Sequence, residues 1–312
     1  MNIGLLLRYY RKLQNLSQSD LAERANINEK YYSKIERDEN NPTYSVVNKI
    51  VNALEMKMTQ LSIATDGYCN FDYIFFPMEM ENGVFIKEIP PRFVAEVYYK
   101  NKIEQVYVAS SVKLTNLISL ENRKVNLQRI EGDSKFVHSL FSLDHNSVKI
   151  ILNLNIINKI FYELYCLGTL SGYHWYGAGK QEITCGDYKA DYFFEQEKII
   201  VENKTIISEE ESCDYPVEKA QRYEEQFRKI EKLIKRDYTV RMNFFILSPW
   251  TNKITFKDDF FRKIKKLKNE GMKVFFYYLY YEKEILKVTR AKLILKDNYY
   301  DIVFYFKNLL NF

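Results

Sequence analysis

Histidine and cysteine are scarce in this 312-residue chain, with three of the first and four of the second. Cys69, Cys166, Cys185 and Cys213 form no Cys-x-x-Cys pair. With only His138, His145 and His174 beside them, a structural zinc site is not expected. Glycine (10) and proline (6) are also few. That argues against a glycine-rich phosphate cradle, a collagen-like repeat and low-complexity architecture. No stretch reaches 18 charge-free apolar residues, so no membrane helix is expected and no membrane partner. The apolar start Ile3–Leu7 is cut short by Arg8, Arg11 and Lys12, unlike a targeting signal. The expected compartment is therefore the cytoplasm, with reduced thiols. Neither charge sign dominates: 46 Lys+Arg against 41 Asp+Glu leave a net +5, which permits a nucleic-acid partner without demanding one. What the chain does have is an ordinary globular balance, 46% hydrophobic and 28% charged, rich in tyrosine (26) and phenylalanine (21). Its length suits about two or three domains. Any metal would be a hard cation held by carboxylates.

Residues 1–65 read as short helices. Ile3–Leu13 is periodic, with Asn15 as its stop. Ser17 caps Gln18–Ala25, with Asp20 as capping-box partner, and Asn26 ends that helix. Asn28 caps a third helix running to Arg37, and Pro42-Thr43 open a fourth over Tyr44–Leu54. Small Ala22 lets two helices cross closely, while Leu21, Ile27, Tyr32 and Ile35 fill the core. The string from Ser17-Gln18-Ser19-Asp20-Leu21-Ala22 through Ile27–Arg37 to Asn41-Pro42 resembles the phage-repressor/Cro-like (XRE) helix-turn-helix over residues 3–62. That resemblance implies a double-stranded DNA partner. It turns Asn28, Glu29, Lys30 and Ser33 toward base edges and sets Gln18, Lys34, Arg37 and Asn40 near phosphates. It makes Arg11 and Glu36 a structural ion pair. Leu5, Leu6 and Tyr9 are apolar on the remaining sides of the first helix, where the rest of the chain or a second subunit would cover them. A homodimer would strengthen the weak charge of this segment.

Residues 66–85 read as a connector, and residues 86–152 as short strands. These are Phe93–Tyr99 and Glu104–Ala109 around the turn Lys100-Asn101-Lys102, then Val125–Ile130 and Val148–Leu152. Several short strands before any long helix suggest a small β-barrel. From residue 153 onward the pattern alternates: a helix Ile156–Leu167, strands Lys189–Phe194 and Ile199–Lys204 about the turn Glu195–Lys198, and a helix Pro216–Lys235. A basic amphipathic run Lys253–Lys273 and buried strands Met242–Leu247 and Val274–Tyr281 complete it. Side chains alternate along a strand, so Glu202 and Lys204 share a face, and Asp191 can lie across the hairpin from them. Two carboxylates and an ammonium so placed are what metal-assisted phosphodiester hydrolysis needs, with Mg²⁺ or Mn²⁺ on the acids and the lysine stabilising charge on phosphorus.

The segment from Pro90 to Tyr281 resembles the sugar fermentation stimulation protein (SfsA) family. The resemblance rests on Pro91–Val97, Lys113-Leu114-Thr115-Asn116-Leu117, Asn153–Lys159, Asp191-Tyr192-Phe193-Phe194, Val201-Glu202-Asn203-Lys204 and Tyr215–Arg222. It implies an OB-like β-barrel over 86–152 and an α/β PD-(D/E)XK restriction-endonuclease-like domain over 153–312, behind an all-α helix-turn-helix domain. It makes Asp191, Glu202, Lys204 and Gln221 catalytic, with Asp191, Glu202 and the Asn203 carbonyl on the metal. Glu163 is the candidate third acidic ligand, and Lys113, Lys159 and Arg222 are candidate phosphate contacts. Ala190 and Ala220 stand where the family carries Arg and Gly, and Ala109–Val112 replaces its Cys-Pro-Asn-Thr-Gly stretch. The expected activity is a DNA-directed, Mg²⁺-dependent nuclease, a restriction or defence endonuclease among the forms it could take, with RNA or single-stranded DNA as further substrates. The alternative is a transcriptional regulator whose second half is a non-cleaving scaffold or sensor.

Overall fold

The structure, a computed structural model, describes residues 3–14, 16–37, 39–56, 72–73, 80–90, 93–110, 112–130, 132–166, 170–174, 176–217, 220–282, 285–296 and 299–303. Two units emerge: Met1–Phe76 with Lys159–Trp175, and Pro77–Asn158 with Tyr176–Phe312.

The first unit begins with four helices, α1 (Ile3–Leu13), α2 (Gln18–Arg24), α3 (Glu29–Glu36) and α4 (Tyr44–Ala53). Their starts follow from capping chemistry. The Ser17 hydroxyl accepts the Asp20 N–H at 3.0 Å, and the Asp20 carboxylate accepts the Ser17 N–H at 2.8 Å. Asn28 Oδ1 accepts the Tyr31 N–H at 3.1 Å. Asn26, at φ 50°, turns the chain out of α2. Leu7, Leu21, Ala22, Tyr32, Ile35, Val47 and Ile50 form the core. Ile27, expected there too, is only half-buried because it sits in the turn between α2 and α3. Gly4 lets α1 lie against α3: a Cβ there would stand 1.8 Å from the Ile35 carbonyl oxygen. Asn15 and the side chains of Leu5, Leu6 and Tyr9 lie outside the described ones. So does the predicted connector from 66 to 71; Asp72–Tyr73 is a two-residue strand, β1.

The second unit opens with β2 (Met80–Ile89), β3 (Val94–Tyr99), β4 (Lys102–Tyr107), β5 (Lys124–Arg129), β6 (His138–His145) and β7 (Val148–Ile151). β2 begins six residues before the boundary expected at 86. Asn82-Gly83 falls in the expected connector, yet Gly83 lies within the strand, where Val97 Cγ1 would come within 2.4 Å of a Cβ. Lys100 and Asn101, at φ 48° and 64°, form the tight turn between β3 and β4. The pairings run β4-β3-β2-β5-β6, and β6 returns to β4 in parallel at Tyr107↔Ser139, closing the circuit. Phe85, Val97, Val106, Leu127 and Leu140 are fully buried in these strands.

The helix α5 (Asn155–Cys166) follows. Then come β8 (Lys180–Gln181), β9 (Thr184–Cys185), β10 (Tyr188–Lys189), β11 (Tyr192–Phe194), β12 (Ile199–Ile206) and β13 (Ser212–Tyr215). After α6 (Ala220–Ile234) come β14 (Thr239–Ile246), β15 (Lys253–Phe256), α7 (Asp258–Asn269), β16 (Lys273–Glu282), β17 (Ile285–Arg290), β18 (Lys292–Lys296) and β19 (Tyr299–Val303). From β7 the sheet continues β16-β14-β12-β11-β8, with β12, β14 and β16 parallel. Parallel neighbours need crossovers, and α6 and α7 supply them. Phe227, Ile230 and Leu233 of α6 and Phe260, Ile264 and Leu267 of α7 bury against it. A second sheet, β13-β15-β19-β18, gives the described part of 291–312 a place. The basic helix is less free than its sequence suggests: Arg262 pairs with Asp259, Lys263 with Glu224 and Lys266 with Glu231. The chain is thus a small helical region followed by a large β-rich domain. Among the described residues no helix is long and apolar enough to cross a membrane.

Candidate metal centre

β11 and β12 form a hairpin closed by Glu195–Lys198, in register Tyr192↔Val201. The next rung sets Asp191 opposite Glu202. The strand expected over Lys189–Phe194 breaks here, because Ala190 and Asp191 turn to β8 and the loop after it: the Glu182 N–H donates to the Asp191 carbonyl at 3.0 Å, and the Ala190 N–H to the Ile183 carbonyl at 2.9 Å. The edge of β12 beside Asp191 is therefore open, and the Asn203 N–H donates to Asp191 Oδ2 at 2.7 Å. A strand residue projects its N–H and C=O from one edge, so the Asn203 carbonyl leaves on this same side. Asn158, in the first turn of α5, donates Nδ2 to Asp191 Oδ1 at 3.1 Å.

Glu202 lies in the middle of β12, one residue beyond its pairing with β11 and beside Met242 of β14, and is buried. Three donors hold it: Lys204 Nζ at 2.6 Å and Gln226 Nε2 at 2.7 Å on Oε1, and the Tyr188 hydroxyl at 2.5 Å on Oε2. Gln226 also donates to the Tyr188 oxygen at 3.1 Å. Lys204 shares the Glu202 face, its ammonium 5.9 Å from the centre of the Tyr223 ring. Burial, then the charge of Glu202, pushes the Asp191 carboxyl up to about 7, against the opposing pull of the Asn203 N–H, Lys204 and Asn158. Burial and the same Glu202 charge raise the Tyr188 phenol well above its ordinary value, so it stays a donor.

These groups line a cavity of about 600 Å³, with Val112 and Leu117 on its apolar wall. Glu88 pins that wall by accepting the Leu114 and Thr115 N–H groups at 3.0 and 2.9 Å. Two carboxylates driven together at a cavity floor, beside an outward carbonyl, are a donor set for a hard divalent cation. Among the described residues no group of three acids, histidines or cysteines converges, so water and substrate oxygens would complete the shell.

The structure brings Asp191, Glu202, Asn203 and Lys204 together. Lys113 is exposed ahead of the turn Leu114–Asn116. Lys159 and Glu163 belong to the other unit. The side chains of Gln221 and Arg222 lie outside the described ones; Gln226, five residues on, is the α6 amide that reaches Glu202. Sequence reasoning also missed Tyr188, Asn158 and Asn243. Two signals were available: Asn158 lies in the Asn153–Lys159 block, and Gln226 is a polar residue next to the stripe Phe227, Ile230 and Leu233.

In the helical unit Asn28, Glu29, Lys30, Lys34 and Arg37 are exposed, while Ser33 and Asn40 are half-buried. Asn28 Oδ1 is engaged as a cap and Arg37 pairs with exposed Glu39 at 3.0 Å. Gln18 is half-buried, and its amide donates to Glu36 Oε2 at 2.6 Å. Arg11 completes the cluster on Glu36 at 2.6 and 3.0 Å.

Comparison with known proteins separates the same parts. Residues 7–61 match the helix-turn-helix family model, and residues 155–285 match the sugar fermentation stimulation protein RE domain. The immunity repressor protein of Bacillus phage phi105 is 34% identical over 61 residues, 20% of this chain and 42% of that protein. The chain thus spans about two fifths of the length of that curated relative. The solved structure of Pyrococcus furiosus SfsA in complex with Ca²⁺ superposes with a TM-score of 0.57 over 70% of this chain and 96% of its own. At 20% identity that likeness speaks for the fold alone. The chain therefore carries an N-terminal helix-turn-helix domain of the phage-repressor (XRE) type and a C-terminal SfsA-like domain.

Proposed function

We propose that this protein is a DNA-directed, Mg²⁺-dependent nuclease, Mn²⁺ substituting, whose SfsA-like domain has a PD-(D/E)XK core and hydrolyses phosphodiester bonds in DNA or RNA. The observation that carries it is the convergence of Asp191, Glu202 and Lys204 on one cavity. The closed circuit of β2 to β6 supports reading that part as an OB-like barrel, and the parallel strands β12 and β14 beside the β11–β12 hairpin support the nuclease-type core. The Ca²⁺ in the P. furiosus SfsA structure supports a hard cation here too.

Asp191, Glu202 and the Asn203 carbonyl would hold the ion, whose chemistry when bound is to polarise a phosphate and acidify a water. Glu202 Oε1 already accepts from two donors, so Oε2, with one, has capacity to spare. Lys204 supplies a fixed positive charge beside the reacting phosphate, where it stabilises charge building on oxygen. Gln226 holds both Glu202 and Tyr188, so the acid keeps one rotamer. The helix-turn-helix domain would bring duplex DNA, as a dimer if a second copy covers α1. A restriction or defence endonuclease is one form of this activity. The phage-repressor likeness favours a second reading, a transcriptional regulator whose SfsA-like domain is a scaffold or sensor.

Supercoiled plasmid and single-stranded RNA, each with and without Mg²⁺, separate the two when Asp191→Ala and Lys204→Ala are run alongside. Metal-dependent cleavage lost in both variants is the expected result. Cleavage that survives both substitutions overturns the assignment, and specific duplex binding without any cleavage favours the regulator.

A further inference from the structure

Behind Asp191 lies a line of three asparagines. Asn158 Nδ2 donates to Asp191 Oδ1 at 3.1 Å, Asn203 Nδ2 to Asn158 Oδ1 at 2.9 Å, and Asn243 Nδ2 to Asn203 Oδ1 at 2.8 Å. Asn203 sits beside Asn243 in the parallel register of β12 and β14, and Asn243 is fully buried. The direction of this line is set by chemistry. In the ionised form that would bind a metal, Asp191 only accepts, so Asn158 must turn its NH₂ toward it. Its oxygen then faces Asn203, which must answer with its own NH₂, and the same logic sets Asn243. All three amide dipoles therefore point their positive ends at Asp191, and aligned hydrogen bonds polarise one another. Asn203 contributes twice, since its backbone N–H holds the second Asp191 oxygen.

We propose that Asn158, Asn203 and Asn243 are a one-way amide relay that fixes the Asp191 carboxylate and the Asn203 peptide as a single preoriented ligand unit, with Asn243 a positioning residue three hydrogen bonds from Asp191. This rests on the metal-dependent reading of the site. Partners of metal ligands commonly change metal affinity by about 10–100-fold when removed. A relay adds a stricter requirement: once Asn158 is gone, Asn243 acts on Asp191 only through the Asn203 N–H, so most of its effect is lost.

The test is a double-mutant cycle on Mn²⁺ affinity in the full-length chain, read by the electron paramagnetic resonance signal of free Mn²⁺, with Asn158→Ala, Asn243→Ala and the pair. Folding is checked by circular dichroism, and Asn158→Ser with Asn243→Ser replace any variant that fails it. The expected result is about 10-fold or more weakening for Asn158→Ala, a smaller but measurable loss for Asn243→Ala, and a pair weakened by less than the two single losses combined. Unchanged affinity in the single variants, or losses that add in the pair, overturns the relay while the metal site stands. A parent protein that binds no Mn²⁺ overturns both.

Discussion

Replacing Tyr188 by phenylalanine removes one oxygen and tests how the acidic pair is tolerated. The phenol donates to Glu202 Oε2 at 2.5 Å and accepts from Gln226 at 3.1 Å, in a pocket where Tyr188 and Glu202 are 3% and 7% exposed. A hydrogen bond to a charged group is worth about 1.5–3 kcal/mol, and here its loss leaves a buried carboxylate oxygen unanswered. For a domain of this size each kcal/mol moves Tm by about 2–4 °C, so Tyr188→Phe lowers Tm by about 3–12 °C in EDTA. Metal acts in the opposite sense. The substitution frees a lone pair on the oxygen with capacity to spare, so the rise in Tm on adding Mn²⁺ should match or exceed that of the parent. Differential scanning calorimetry with EDTA and with saturating Mn²⁺ measures both terms. A Tm in EDTA within a degree of the parent, or a metal-induced rise that disappears, refutes the reasoning.

Three further outcomes concern the helical unit. Gly4→Ala gains about 1 kcal/mol of helix propensity, but its Cβ would meet the Ile35 carbonyl oxygen at 1.8 Å and carbon at 2.7 Å. Overpacking of about 1–3 kcal/mol should win, seen as a lowered Tm and weaker operator binding; an unchanged or higher Tm contradicts it. Glu36 is pulled upward by burial, yet hydrogen bonds from Arg11 and its neighbours hold its carboxyl below the usual range. It therefore adds stability above the ordinary carboxylate pKa, lost as pH falls through its lowered value. Arg11→Met strands the charge, should cost about 3–5 kcal/mol at neutral pH, and should make acidification stabilising relative to the parent. Urea melts between pH 3 and 7 report that change of sign, and parallel pH profiles count against it. Exposed Lys30 lies in the first turn of α3. Lys30→Ala should cost about 1–3 kcal/mol at one base pair of the operator, whereas Lys34→Ala should weaken all sequences alike and lower the salt slope by about one. Binding isotherms over a salt series separate these, and a uniform loss for Lys30→Ala moves it to the phosphates.

Much of this was legible because local rules agree with the fold. Capping oxygens at Ser17, Asn28 and Thr43 set the starts of α2, α3 and α4. The alternation in Val201–Lys204 was enough to put Glu202 and Lys204 on one face. What escaped is non-local. Glu81-Asn82-Gly83 carries turn chemistry, and only the close packing of Val97 and Leu127 shows why glycine is wanted in a strand. His138–His145 was passed over although six of its eight residues are buried, because Ser, His and Asp interrupt the apolar pattern that marks a strand. Asn158, Tyr188, Gln226 and Asn243 come from four separate elements and meet only once the sheet is assembled. No spacing rule joins positions 158 and 243.

The charge balance of the cluster fits the proposed divalent cation. Desolvation and the neighbouring charge of buried Glu202 let half-buried Asp191 hold its proton up to about 7. The surroundings divide this burden: Lys204, Gln226 and Tyr188 satisfy Glu202, while amides supply the hydrogen bonds to Asp191 and the Lys204 charge acts on it from further off. If the pair existed for stability, a second cation beside Asp191 would neutralise it, or apolar residues of similar volume would replace both at little cost. Instead Lys204 reaches Glu202 at 2.6 Å, and Asp191 receives dipoles but no direct ion pair among the described contacts. Dipoles orient a carboxylate without cancelling its charge. A divalent cation would relieve that residual charge and displace the proton, which is why metal-free stability and metal affinity should respond in opposite directions when Tyr188 is altered.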